Sequence, residues 1–296
     1  MPISERLGQL GSGVFGRLDG EKRSYRSSAQ QSQRPLIDLS LGSSDLKPPP
    51  RLLQVMADAI AEPLSSRYCL QAATAPFRQA AAAWVQGRFG VSVDPDREIL
   101  LLVGSQEGTA HLPLAVLNPG DHALVLDPSY PSHAGGVALA SGELVRLPLV
   151  AEQGWRPAFE QLSVEQQRQL RLLVMGYPHN PTATTGSQDW LEQAMVTAKQ
   201  GDAVLAHDNP YLDLALEGEA PALLRCDGWR ERGIEFFSFS KGWCLAGFRL
   251  AFAVGAPALI EALARVKGVV DFNQSLALQA GAITALSEFP HWPRQL

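Results

Sequence analysis

The chain has 296 residues, 46% hydrophobic and 19% charged, which is enough apolar content for one large domain or two smaller ones. Its formal net charge is −5, and its basic residues are scattered apart from one short mixed cluster (Glu21, Lys22, Arg23, Arg26), so nucleic acid is not an expected partner. Three cysteines, Cys69, Cys226 and Cys244, lie far apart, which argues against a disulfide frame or a zinc site and for a reducing compartment.

The N-terminus carries Glu5 and Arg6 with no apolar core behind them, unlike a signal peptide. No membrane span is expected either, because the apolar stretch after Arg249 is broken by Pro257, Glu261, Arg265 and Lys267. The expected compartment is the cytoplasm.

Residues 1–50 read as an arm rich in Gly, Ser and Gln, with one short strand at 36–41. Pro48, Pro49 and Pro50 then stop regular structure before a helix that begins near Arg51. Beyond it, apolar runs at 99–103, 123–126, 144–147, 172–175, 204–206, 234–239 and 250–254 alternate with helical patterns such as 76–89 and 188–199. This alternation predicts an α/β fold with a mostly parallel, seven-stranded sheet covered by helices on both faces. Ligands of such sheets sit at the carboxyl ends of the strands.

Polar residues collect at those ends. Gly104-Ser105-Gln106-Glu107-Gly108 follows the first run and opens a helix, where exposed N–H groups and the helix dipole favour an anion. Asp127-Pro128-Ser129-Tyr130-Pro131, Tyr177-Pro178-His179-Asn180-Pro181-Thr182 and His207-Asp208-Asn209-Pro210-Tyr211 end three others. The run at 234–239 leads into Ser238-Phe239-Ser240-Lys241, with Gly247 and Arg249 beyond. A lysine walled by Phe237, Phe239 and Trp243 would lose its proton more easily than one in water, as an amine attacking an aldehyde must. Hydroxyls and a guanidinium suit a phosphate. Together they point to pyridoxal 5'-phosphate (PLP), whose chemistry needs both anchors. An aspartate can keep the pyridine nitrogen protonated, and a flat aromatic can stack on the ring.

These motifs, in this order, resemble those of the class I/II aminotransferases, the fold-type-I PLP enzymes, from about Arg6 to the last residue. The resemblance makes Lys241 the Schiff-base lysine and Arg249 the phosphate-binding arginine, with Ser105, Gln106 and Ser238 completing the phosphate cup. It sets Asp208 against the pyridine nitrogen, Tyr211 and Asn180 on the ring oxygen, and Tyr130 on the ring face, with His133 behind the aspartate. Tyr68 would reach the phosphate of a neighbouring subunit, implying a homodimer with a shared active site. Gly42 would approach the substrate carboxylate, and Asn180 would bind the substrate as well as the cofactor. Phe15 and the Leu-Gly-Ser-Ser-Asp segment resemble members acting on diaminopimelate or aspartate-like donors.

The chain departs from the family pattern at three places. Ala183 replaces the glycine that ends Asn-Pro-Thr-Gly, with Gly186 three residues late, and Ala73 replaces a glycine near Tyr68. Family members also continue into a small domain whose arginine binds the α-carboxylate, and Arg294 stands too early to be that arginine. The division expected is therefore an arm with part of the small domain at 1–50, a PLP-binding large domain at 51–290, and the start of a connecting helix at 291–296. This would be either a piece of a longer enzyme or a short relative.

The implied activity is exchange of an amino group between an L-amino acid and a 2-oxo acid. A β-lyase or synthase of the same fold and a non-catalytic PLP-binding module are the alternatives. Gly11-Ser12-Gly13-Val14-Phe15-Gly16 spells a dinucleotide fingerprint, but no strand precedes it, and it reads as flexible arm. The six histidines show no ligand spacing, so no metal is expected. His207 reads as a packing residue, or as one that supports the site's residues from behind, and not as a base.

Overall fold

The computed structural model describes residues 3–10 and 13–296, with only the backbone of Val14 and Phe15. All seven apolar runs are strands: β1 (Ile99–Leu102), β2 (His122–Asp127), β3 (Glu143–Pro148), β4 (Leu170–Met175), β5 (Val204–Asp208), β6 (Gly233–Ser238) and β7 (Ala251–Gly255). They form one sheet in the order β1-β7-β6-β5-β4-β2-β3. β7 is antiparallel to both its neighbours, and the other pairings are parallel. The carboxyl ends of β1, β2, β4, β5 and β6 therefore share one edge with the start of β7.

Alternation along the strands sends side chains into two cores. On one face Leu100, Leu102, Val125, Val174 and Phe236 pack with Leu112 of α4 (Ser105–Val116), Val137 of α5 (Pro131–Leu139) and Leu263 of α7 (Pro257–Val270). On the other, Ile99, Leu101, Leu124, Leu173 and Phe252 meet α2 (Pro50–Ile60), α3 (Ala75–Phe89), α6 (Gln188–Gly201) and α8 (Leu276–Glu288). Pro50 stands at the first position of α2, where its missing N–H costs nothing. Gly281 lets α8 approach α2 closely, since a Cβ there would fall 2.1 Å from Met56 Cε.

Three expectations are corrected. Residues 36–41 are not a strand: Ile37 and Leu39 are exposed and no strand lies beside them to complete a ladder among the described residues. The arm is largely helical, with α1 at Val14–Arg26, although Gly16 and Gly20 weaken its helical propensity. Of the glycine fingerprint, Gly11 and Ser12 lie outside the described residues, and Gly13 caps α1 with a 3-10 turn, not a strand, before it. Finally, β6 stops at Ser238, and Phe239 opens the short helix Phe239–Gly242 that carries Lys241.

Candidate active site

At the shared strand edge lies a cavity of about 760 Å³, lined among others by Gly42, Ser105, Asn180, Asp208, Lys241 and Arg249. Gln106, Tyr130, Tyr211 and Ser238 also reach it. All the residues expected around the cofactor thus meet there except Tyr68, and Gly42 of the substrate side joins them. Tyr68 is 88% exposed, its ring 6.0 Å from that of Phe272.

Lys241 is delivered by a tight turn. The Ser238 hydroxyl ends β6 and accepts the Ser240 N–H at 3.1 Å, starting the short helix. The Lys241 ammonium donates to the Gly42 carbonyl and lies 5.8 Å from the Tyr211 ring centre. Burial lowers its pKa, and the Arg249 charge lowers it further. The expected aromatic wall is corrected here. Phe237, Phe239 and Trp243 pack into the core with Trp84 and Phe252 and do not line the cavity. Alternation along β6 and the following turn sends them behind the lysine.

Arg249 stands two residues before β7 in a left-handed conformation (φ 51°). Its backbone carbonyl accepts from the Gln274 amide at 2.6 Å, and its guanidinium donates to the Ala246 carbonyl at 2.9 Å. The guanidinium lies directly over Gly104, where a Cβ would fall 2.0 Å from Nη2. Gly104 also has φ 80° and ψ 151°, a conformation open essentially to glycine. One cationic end of the cavity is therefore built from Arg249, the first turn of α4 and the Ser105 and Ser240 hydroxyls.

At the other end, His133 Nε2 lies 3.2 Å from Asp208 Oδ2, while the buried Asp208 Oδ1 has no protein partner among the described residues. Asn180 Nδ2 donates to the Tyr211 hydroxyl at 3.2 Å, so both polar tips converge. The Tyr130 hydroxyl donates to Gln106 Oε1 at 3.0 Å. Burial raises the pKa of both tyrosines, and Asp208 adds to this. Ala183, the residue in place of the glycine, keeps a left-handed backbone (φ 61°), with its N–H donating to His179 O at 2.8 Å. Its turn is kept with strain, whereas Ala73 is not among the residues of positive φ.

These residues fit PLP on the structure's own terms. An orphaned buried carboxylate oxygen suits a protonated ring nitrogen, converging Asn180 and Tyr211 suit a ring oxygen, and the Arg249 end suits a phosphate. Sequence reasoning gave no role to other groups on the cavity wall: His179, Glu107, His111 and Asp271. Burial pushes His179 down to about 4, so it is neutral at physiological pH.

His207 is buried and works as packing of a polar kind. Its Nε2 accepts the Tyr177 N–H at 3.2 Å and its Nδ1 donates to Glu235 at 2.9 Å. Glu235 also accepts from Asn209 and the Leu224 N–H. This network ties the loop carrying Asn180 to the end of β5.

Comparison with known proteins gives the family. Residues 34–292 match the family described as "Aminotransferase class I and II". The LL-diaminopimelate aminotransferase of Syntrophobacter fumaroxidans is 35% identical over 284 residues, 96% of this chain and 72% of that protein. The glutamate-pyruvate aminotransferase AlaC of Escherichia coli is 34% identical over 262 residues, 88% of this chain and 64% of that protein. Among solved structures, a "probable N-succinyldiaminopimelate aminotransferase" from Thermus thermophilus superposes with a TM-score of 0.89 at 40% identity, covering 96% of this chain and 75% of that one. The substrate-bound BacF structure from Bacillus subtilis gives 0.93 at 29% identity, covering 100% and 74%. The chain belongs to the class I and II aminotransferases and is a PLP-dependent enzyme that transfers amino groups between amino acids and oxo acids.

Proposed function

We propose that Lys241 is the catalytic amine and that Arg249, Ser105, Gln106, Ser238, Asp208, Asn180, Tyr211 and Tyr130 hold the cofactor, with diaminopimelate-like or related L-amino acids as donors. The convergence of Lys241, Asp208 and Arg249 on one cavity carries this reading. When bound, PLP supplies an electron-withdrawing ring and a carrier for the amino group. Arg249 and the first turn of α4 hold the phosphate. Asp208 Oδ1, its partner oxygen occupied by His133, would keep a proton on the ring nitrogen. Asn180 and Tyr211 would donate to the ring oxygen, and Tyr130 would cover a ring face. Lys241, its proton loosened by burial and by Arg249, would take the proton from the donor's Cα in the first half of the exchange and deliver one to the Cα of the oxo-acid acceptor in the second. Gly42, whose carbonyl already meets Lys241, marks the substrate side.

The donor class rests on the activities for which those relatives are named, two of them for diaminopimelate or its succinyl derivative. The Phe15 side chain, part of the sequence argument for that class, lies outside the described residues. Those relatives favour neither the lyase nor the non-catalytic alternative.

A homodimer is part of the proposal. Tyr68 and Phe272 pair at the surface, and Val269 and Val270 at the end of α7 are also exposed, an apolar surface suited to a second copy. The division into an arm with part of the small domain (1–50), a PLP-binding large domain (51–290) and the start of a connecting helix (291–296) is proposed with it, as is a cytoplasmic setting, which free Cys69, Cys226 and Cys244 suit. Among the described residues no helix is long and apolar enough to cross a membrane.

The test is amino transfer from LL-diaminopimelate, aspartate, alanine and glutamate to 2-oxo acids, by wild type and Lys241→Ala. Turnover confined to the wild type and fastest with diaminopimelate is expected. Full transfer by Lys241→Ala would overturn the catalytic assignment, and equal rates for all donors would overturn the donor class.

A further inference from the structure

Behind the cationic end of the cavity lies a charged cluster that the steps above do not use. Glu107, in the first turn of α4, is buried, and its Oε2 accepts the Val103 N–H at 2.5 Å. Val103 is the residue between the end of β1 and Gly104. Glu107 thus closes the strand-to-helix turn on which Gly104 and Ser105 ride. Lys267 of α7, 2% exposed, donates to both Glu107 oxygens at 3.0 Å and to Asp271 at 3.0 Å.

A buried ion pair is weak evidence for stability, because desolvation offsets the attraction. Here the pair does something geometric. It bolts the turn below Arg249 to a helix 160 residues further along the chain. Gly104 in turn is in contact distance of the Arg249 guanidinium, so a shift of this turn is a shift of the arginine's seat.

A metal reading of the same cluster is weaker. Glu107, His111 and Asp271 place ligand atoms within 4.8 Å of one another, but the Lys267 ammonium already sits between the two carboxylates. The charged and titratable groups around Glu107 are Lys267 of α7, Asp271 just beyond that helix, and His111 of α4.

We propose that Glu107 and Lys267 are positioning residues for the phosphate end of the cofactor site, fixing the turn at 103–105 against Arg249. This rests on the reading that Arg249 and the α4 turn hold the phosphate. A positioning role at that end has a signature that a general structural role lacks: it acts on a ligand with a phosphate and spares the same ligand without one.

The experiment measures binding of PLP and of pyridoxal to wild type, Lys267→Met, the double variant Lys267→Met with Glu107→Gln, and Arg249→Gln. The double variant removes both charges of the pair and covers the case in which Lys267→Met alone does not fold. Expected is a tenfold or greater loss of PLP affinity in the double variant, with pyridoxal affinity unchanged within twofold. Unchanged binding of both ligands, or equal weakening of both, overturns the proposal. The underlying phosphate reading fails separately, if Arg249→Gln leaves the preference for PLP over pyridoxal intact. Loss of that preference in Arg249→Gln but not in the double variant sinks the positioning role alone.

Discussion

Gly104→Ala is the smallest change that should displace the phosphate end. The added Cβ would lie 2.0 Å from Arg249 Nη2 and 2.7 Å from Cζ, distances that no side-chain vibration absorbs, so the guanidinium must leave. The residue must also hold φ 80° and ψ 151° with a side chain, at a strain of about 1–3 kcal/mol. That strain lowers the melting temperature of the apo protein by roughly 2–4 °C per kcal/mol. Loss of a charge-assisted contact to the phosphate costs about 1.5–3 kcal/mol of binding, or about 10- to 150-fold in PLP affinity. Gly87→Ala is the control: a Cβ there meets nothing within 4 Å in α3, and about 0.5–1 kcal/mol of stabilisation is expected. The assay is PLP titration by absorbance together with thermal melts of apo protein. Wild-type affinity and an unchanged melt for Gly104→Ala would refute the packing of Arg249 on Gly104.

Other changes test the remaining parts. Ala183→Gly should raise the melting temperature by relieving a left-handed alanine, a gain of about 1 kcal/mol, without loss of turnover. Lys241→Met should abolish turnover and yet stabilise the apo protein at neutral pH. The folded pKa of Lys241 is depressed, so the unfolded chain binds more protons between that value and 10.5, and wild-type apo stability rises with pH through that window. The gap between variant and wild type should therefore narrow on the alkaline side, as pH-dependent melts will show. Partly exposed Cys244 should react with a thiol reagent in native protein, whereas buried Cys226, its pKa pushed up to about 12, should react only on unfolding. Sedimentation or light scattering should give a dimer, and Tyr68→Asp should weaken it.

The strands were legible because most are short runs dominated by Leu, Val, Ile, Phe or Ala and, apart from the edge strand β3, largely buried, a pattern that needs no knowledge of partners. The reversed direction of β7 was not, since an apolar run carries no arrow. The 36–41 segment has strand-like alternation, but a strand also needs a neighbour, and none lies beside it among the described residues. That Lys241, Asp208, Asn180 and Arg249 meet at one cavity could be expected because motif residues cluster at strand tips. Glu107 lies inside a quoted motif, yet its partner Lys267 is set by how α7 packs on α4, which no local pattern encodes. The aromatic wall failed for a related reason: proximity in sequence to Lys241 did not say which face of β6 each ring would take.

The central claim is that Lys241 meets the cofactor at this strand edge, and the most direct measurement is reductive trapping. Purified protein would be incubated with PLP, treated with borohydride, digested and mapped by mass spectrometry. The account predicts one dominant modified peptide carrying the cofactor on Lys241, with the label lost in Lys241→Ala. A label spread over surface lysines, or one that persists in that variant, would contradict it.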